Sequence, residues 1–189
     1  MPYKSKSCML FLKAAIVAVV IVLVFGIFKD TALRKFVYPK KFSTYVETYS
    51  KEYNLDENLV YAVIKCESGF KSDAISARNA RGLMQISEIT GLWAAEVLKI
   101  NDYKHEMLFE PETNILIGCW YLRKMLDQFG SEATALAAYN AGSGNVSGWL
   151  SKSEYTADGV NLHSIPFGET ENYVRRVETA KKMYEYLYN

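Results

Sequence analysis

The sequence predicts one mainly helical domain carried behind a single membrane-crossing helix. Three observations lead there. Residues Met9 to Phe28 form an apolar run broken by one charge, Lys13. From Phe42 onward, apolar residues recur three and four apart, the spacing of one helical face. Residues that start or stop helices, such as Asp56, Pro111 and Gly130, fall at the edges of those stretches. A length of 189 residues suits one globular domain plus an appendage.

The N-terminal run has 20 residues. About 20 apolar residues cross a bilayer core of roughly 30 Å as a helix. Lys13 lies near its start, where a lysine can reach the headgroups. A cleaved signal peptide would have a shorter apolar region and small residues at a cleavage site. Here the run ends GIFKDTALRKF. The expectation is an uncleaved anchor at 9–28, after a short cytoplasmic N-terminus at 1–8 and before a basic linker at 29–42. Cys8 precedes the run, whereas a lipoprotein acceptor cysteine would follow it. Flanking charge does not favour an outside C-terminus. Lys4, Lys6 and Lys13 lie before or in the span, and Lys29, Arg34, Lys35, Lys40 and Lys41 follow it.

The folded part is expected over 43–189. Phe42, Tyr45, Val46 and Tyr49 share a helical face, which Asn54-Leu55-Asp56 interrupts. Asp56 is a good N-cap for ENLVYAVIKCESG, which exits at Ser68-Gly69. Residues 70–86 are polar and rich in turn formers, a loop with room for a small strand pair. A helix follows at about 88–99. Pro111 stands at the first turn of a longer one, with Ile115, Cys119, Leu122, Leu126 and Phe129 in period and Gly130 at its end. Glu132 to Tyr139 is a short Ala-rich helix, and Asn140 to Gly144 a turn. A polar loop at 151–168 leads to a last helix, Thr170 to Tyr188, with Val174, Val177, Tyr184 and Leu187 on one side.

Composition narrows the function. A net charge of +1 implies no nucleic-acid partner. Against 4 Pro stand 14 Tyr and 9 Phe, which favours a folded domain and surfaces suited to sugars. The three cysteines form no CxxC, which argues against zinc or thioredoxin chemistry. Cys66 and Cys119 both fall in helices; buried thiols or a disulfide remain alternatives. His105 and His163 are isolated, so no metal and no cofactor is expected.

Glu67 continues the apolar stripe of Val60, Val63 and Ile64, four residues after one and three after another. It also sits in the last turn, where the helix dipole is negative. Burial and dipole both disfavour the ionised form and raise the pKa above about 4.3. A glutamic acid protonated near neutral pH can protonate a glycosidic oxygen. A solvated glutamate at a frayed helix end is the alternative that position alone leaves open.

Four segments bear on that choice: Glu67-Ser68-Gly69-Phe70, Gly82-Leu83-Met84-Gln85-Ile86, Ala138-Tyr139-Asn140-Ala141-Gly142 and Glu169-Thr170-Glu171-Asn172-Tyr173-Val174. In this order they resemble the soluble-lytic-transglycosylase (SLT) domain family, over about 43–188. The resemblance implies a lysozyme-like fold, mainly α with an α+β element and related to goose-type lysozyme. It implies Glu67 as the single catalytic residue. It implies substrate contacts from Ser76, from Met84 and Gln85 of the GLMQ loop, from Tyr139 and Asn140, and from Tyr173. The departures are Cys66, where the family usually has a polar residue, and the two arginines of ARNARGLMQ.

Ordinary glycosidases use two carboxylates. Asp73 and Glu88 are near in sequence, but neither matches a catalytic position of the family. The resemblance therefore implies that the substrate supplies the nucleophile. The partner is then the peptidoglycan glycan strand, cut at its MurNAc-GlcNAc β-1,4 bond with formation of 1,6-anhydro-MurNAc. The catalytic domain is expected on the extracytoplasmic face of the cell membrane. A hydrolytic muramidase on the same fold and a non-catalytic glycan-binding module are the alternatives.

Overall fold

A computed structural model of the chain describes residues 3–188. Side chains of residues 3–10, 12, 14, 15, 23 and 27 lie outside the described set, so the readings made on Cys8 and on Met9 lie outside it too. The chain divides into two units, Met1–Pro39 and Lys40–Asn189.

In the first unit, α1 runs over Tyr3–Ala32 and passes into a π-helical turn, Leu33–Val37. Most of the expected linker at 29–42 is therefore helical. No residue between Lys29 and Val37 breaks a helix, and Pro39 is the first that does. It pushes Tyr38 out of helical geometry, at φ −125° and ψ 57°. Val19, Val22, Phe25 and Phe28 are all exposed, so among the described residues a broad apolar face of the helix is left uncovered. The segment Ile16–Val37 is long and apolar enough to cross a membrane.

The second unit is built on α3, Glu57–Glu67. Asp56 caps it by accepting from the Asn58 N–H at 2.8 Å. All seven residues from Asn58 to Ile64 are buried, so the helix is enclosed on every side rather than along the expected stripe. Each such Leu, Val or Ile contributes about 1.5–3 kcal/mol over an exposed one. Helix α8, Gly168–Tyr188, packs along α3, with the Tyr61 and Tyr184 rings stacked at 5.4 Å. Helices α2 (Ser43–Glu52), α5 (Pro111–Phe129) and α6 (Glu132–Ala141) complete the core. Helix α4, Glu88–Leu98, starts at Ser87, whose hydroxyl accepts from the Thr90 N–H at 3.2 Å.

Three details differ from expectation. Residues 70–86 hold isolated bridges, Ile75 to Arg81 and Arg81 to Ile86, instead of a strand pair. A 3-10 turn covers His105–Phe109. A further helix, α7, covers Ser143–Leu150 directly after the break at Gly142. Two glycines in SGNVSGWL lower its intrinsic helicity, and burial of Val146 and Trp149 overrides them. Cys66 and Cys119 are both free thiols.

Candidate active site

Glu67 is the last residue of α3. Gly69 at φ 59° and Phe70 at φ 67° turn the chain away immediately after it. The exit is held by the Ser68 hydroxyl, which accepts from the Phe70 N–H at 3.1 Å. Glu67 stands in a cleft of about 580 Å³, also lined by Ser76, Gln85, Tyr121, Tyr139, Asn140 and Glu169, among others. Glu67 keeps an opening to the cleft, but protein surrounds its carboxyl closely. That loss of hydration pushes its pKa up to about 7, against a smaller lowering by the Tyr173 hydroxyl and the Arg176 guanidinium. Glu169 adds a like charge and raises it further.

The opposite wall is the loop 70–86, and one side chain fixes its position. Asn114 on α5 is fully buried. Its amide nitrogen donates to the carbonyls of Arg81 (2.9 Å) and Leu108 (2.7 Å). Its carbonyl accepts from the Met84 N–H at 2.7 Å. Gly82, at φ 78°, admits this contact, since a Cβ there would lie 2.1 Å from the Leu108 carbonyl. Gln85 is left-handed at φ 48° and spends its amide nitrogen on the carbonyls of Gly82 (2.9 Å) and Ala74 (3.2 Å). Only its carbonyl oxygen is left for a ligand. Ser76 is similarly engaged, accepting from the Ala80 N–H at 3.0 Å.

Two expected contact residues sit behind the cleft surface. The Met84 side chain is fully buried and lies over Gly118, where a Cβ would meet its sulfur. It is core, not cleft wall; only its backbone takes part, accepting from the Tyr139 hydroxyl at 2.9 Å. Tyr173 is 5% exposed, and its hydroxyl has no well-formed hydrogen bond while facing the Glu67 charge. Asn140 lies on the cleft, its carbonyl accepting from the Thr170 hydroxyl at 2.8 Å.

This arrangement can be compared with known proteins. A family model described as "Transglycosylase SLT domain" matches residues 44–160, well over half of the chain. The chain belongs to the SLT-domain family. A "Soluble lytic murein transglycosylase" of Salmonella typhimurium is 36% identical over 153 residues, covering 79% of this chain and 24% of that protein. A "Membrane-bound lytic murein transglycosylase C" of Pectobacterium atrosepticum is 27% identical over 168 residues, covering 76% and 46%. The crystal structure of an inactive glutamate-to-glutamine mutant of lytic transglycosylase Slt from Pseudomonas aeruginosa superposes with a TM-score of 0.73 at 32% identity, over 82% of this chain and 25% of that one. This SLT-domain chain thus spans about a quarter of the length of the soluble relatives it matches. The solved relatives account for the mainly helical, lysozyme-like architecture.

Sequence reasoning missed Tyr121, Glu169 and Arg78 on the cleft of this SLT domain. Tyr121 follows Ile117 by four residues on the inner face of α5, a signal that was legible. Glu169 stands inside the fourth motif. Arg78 pairs with it at 3.9 Å, both side chains being highly exposed. Arg81, the other unusual arginine, turns away to Glu106 at 3.2 Å.

Proposed function

We propose that this chain is a membrane-anchored lytic transglycosylase that cuts peptidoglycan glycan strands at the MurNAc-GlcNAc β-1,4 bond. The observation that carries the reading is Glu67: a carboxyl raised to about 7, on a cleft it shares with Tyr139 and Asn140. An acid of that strength is half protonated near neutral pH and can both give and take a proton. Glu67 donates its proton to the glycosidic oxygen as the C1–O bond breaks. The 6-hydroxyl of the same MurNAc then bonds to C1, and the Glu67 carboxylate takes the hydroxyl proton. The acid is regenerated, no water is consumed, and the product is 1,6-anhydro-MurNAc. Ser76, Gln85, Tyr139 and Asn140 contact the sugars directly. Tyr173 acts from behind, on Glu67, and Met84 acts through its backbone. The inactive glutamate-to-glutamine mutant of a relative is in keeping with a single essential glutamate.

The exposed carboxylate of Glu169 on the same cleft favours one second reading, hydrolysis by two carboxylates. Digestion of purified peptidoglycan by the full chain in detergent separates the two. The anhydro product is lighter by one water than the hydrolytic one. Loss of about a hundredfold or more of the activity is expected for Glu67→Gln. An active Glu67→Gln protein would overturn the catalytic assignment, and a hydrated product the transglycosylase reading.

The domain at 43–189 is held by one membrane pass over 9–28, on the extracytoplasmic face where the wall lies. The membrane-bound relative and the apolar α1, whose segment Ile16–Val37 is long enough to cross, support a membrane pass, and the face follows from where the wall substrate lies. Recovery of the intact chain in the soluble fraction of cells would refute the anchor.

A further inference from the structure

We infer that α4 extends the glycan site: the indole of Trp93 is a stacking platform for a sugar ring beyond those held at the Glu67 cleft. This rests on the glycan-cleaving reading above. Ser87, which caps α4, and Thr90 within it already line the cleft. Trp93 follows Thr90 by one turn and Val97 follows Trp93 by another, so the three share a helical face. That face therefore continues from the cleft along the helix.

The aromatic rings run the same way. Tyr139, on the cleft, has its ring 5.2 Å from that of Tyr121, also on the cleft. Tyr121 in turn meets Trp93 edge to face at 6.4 Å and 82°. Trp120 braces Trp93 from a second side at 4.7 Å and 72°. Trp93 is thus fixed by two rings yet 44% exposed, where a tryptophan of a folded core is mostly covered. A rigid aromatic surface binds without much loss of side-chain freedom. A pyranose ring presents an apolar face of C–H bonds that suits such a surface, and Glu96, exposed one turn further on, can accept from sugar hydroxyls. Ile89, at 82%, and Leu92, at 56%, make the neighbouring surface apolar as well. A protein partner could use such a surface, but continuity with the cleft through Tyr121 points to the glycan.

Binding is measured by calorimetry with the full chain in detergent, in the Glu67→Gln background so that the strand stays uncut. The probes are soluble uncrosslinked peptidoglycan strands and a short fragment of the same repeat. The longer strand is expected to bind more tightly than the fragment. Adding Trp93→Ala should weaken strand binding by about tenfold, the scale of losing one well-buried aromatic contact. Trp93→Leu, which keeps packing against Trp120, should weaken it similarly, and Trp93→Phe should retain most of it. Equal strand affinity with and without Trp93, in variants that melt as the parent does, overturns the platform and is the result a protein-docking face would give. Failure of the catalytic reading is registered separately, by a wild-type chain that binds strands but releases no cleavage product.

Discussion

The Tyr139 hydroxyl donates to the Met84 carbonyl at 2.9 Å, joining α6 to the loop that forms the opposite wall of the cleft. The same Met84 peptide donates its N–H to Asn114. The residue next to Gln85 is therefore gripped from two helices, and the distance between Gln85 and Glu67 follows from it. Tyr139→Phe leaves a buried carbonyl unpaired and should cost about 1–3 kcal/mol in chemical denaturation. An unchanged midpoint would mean that the loop is held without this bond.

Asn114 satisfies three backbone groups with one amide, and no other residue type offers two donors and an acceptor in that shape at that length. Asn114→Ala should destabilise the domain by about 3 kcal/mol or more. Asn114→Asp should be nearly as harmful, because it keeps the acceptor and loses both donor bonds. Denaturant midpoints within experimental error of wild type for both variants would contradict this account.

The acid at Glu67 sets the pH response. Activity that needs the protonated form should fall as pH rises through about 7. Stability moves in the same sense. The carboxyl ionises near 4.5 when unfolded and near 7 when folded. Its contribution is fully present below about 4.5 and is lost as pH rises to about 7, since the unfolded chain releases the proton first. Glu67→Gln should therefore be more stable than wild type at pH 8, by about 3 kcal/mol, and no more stable at pH 4. Parallel stability–pH curves for the two proteins would show that the carboxyl is not held neutral.

Glu169 adds negative charge near Glu67, and its partner Arg78 is an exposed side chain at the mouth of the cleft. Glu169→Gln should remove a cause of the raised Glu67 pKa and move the alkaline limb of the pH–rate profile toward lower pH. Arg78→Gln releases Glu169 from its ion pair and should move the limb the other way, by less, because exposed pairs are well screened. A limb that stays in place in both variants would indicate that burial alone sets the Glu67 pKa.

Much of this was legible in sequence, for identifiable reasons. The helices α3, α5 and α8 announced themselves by period and by their end residues, such as Asp56 and Gly130. The helix α7 did not, because its glycines argue against helix and only the burial of Val146 and Trp149 decides it. Met84 resembled a cleft residue by motif and is core by packing, in the space that Gly118 leaves open.

The chain's own order of residues determined the fold class, the long apolar N-terminal helix and the placement of a glutamate at the end of a helix the core would bury. Each of these follows from local spacing, which a linear reading can see. Tertiary structure alone decided how strongly Glu67 holds its proton, that Asn114 pins the loop, and which side chains reach the cleft. Desolvation, close approach and hydrogen-bond partners depend on residues far apart in the chain, and they exist only once α3, α5, α6 and α8 have closed around one another.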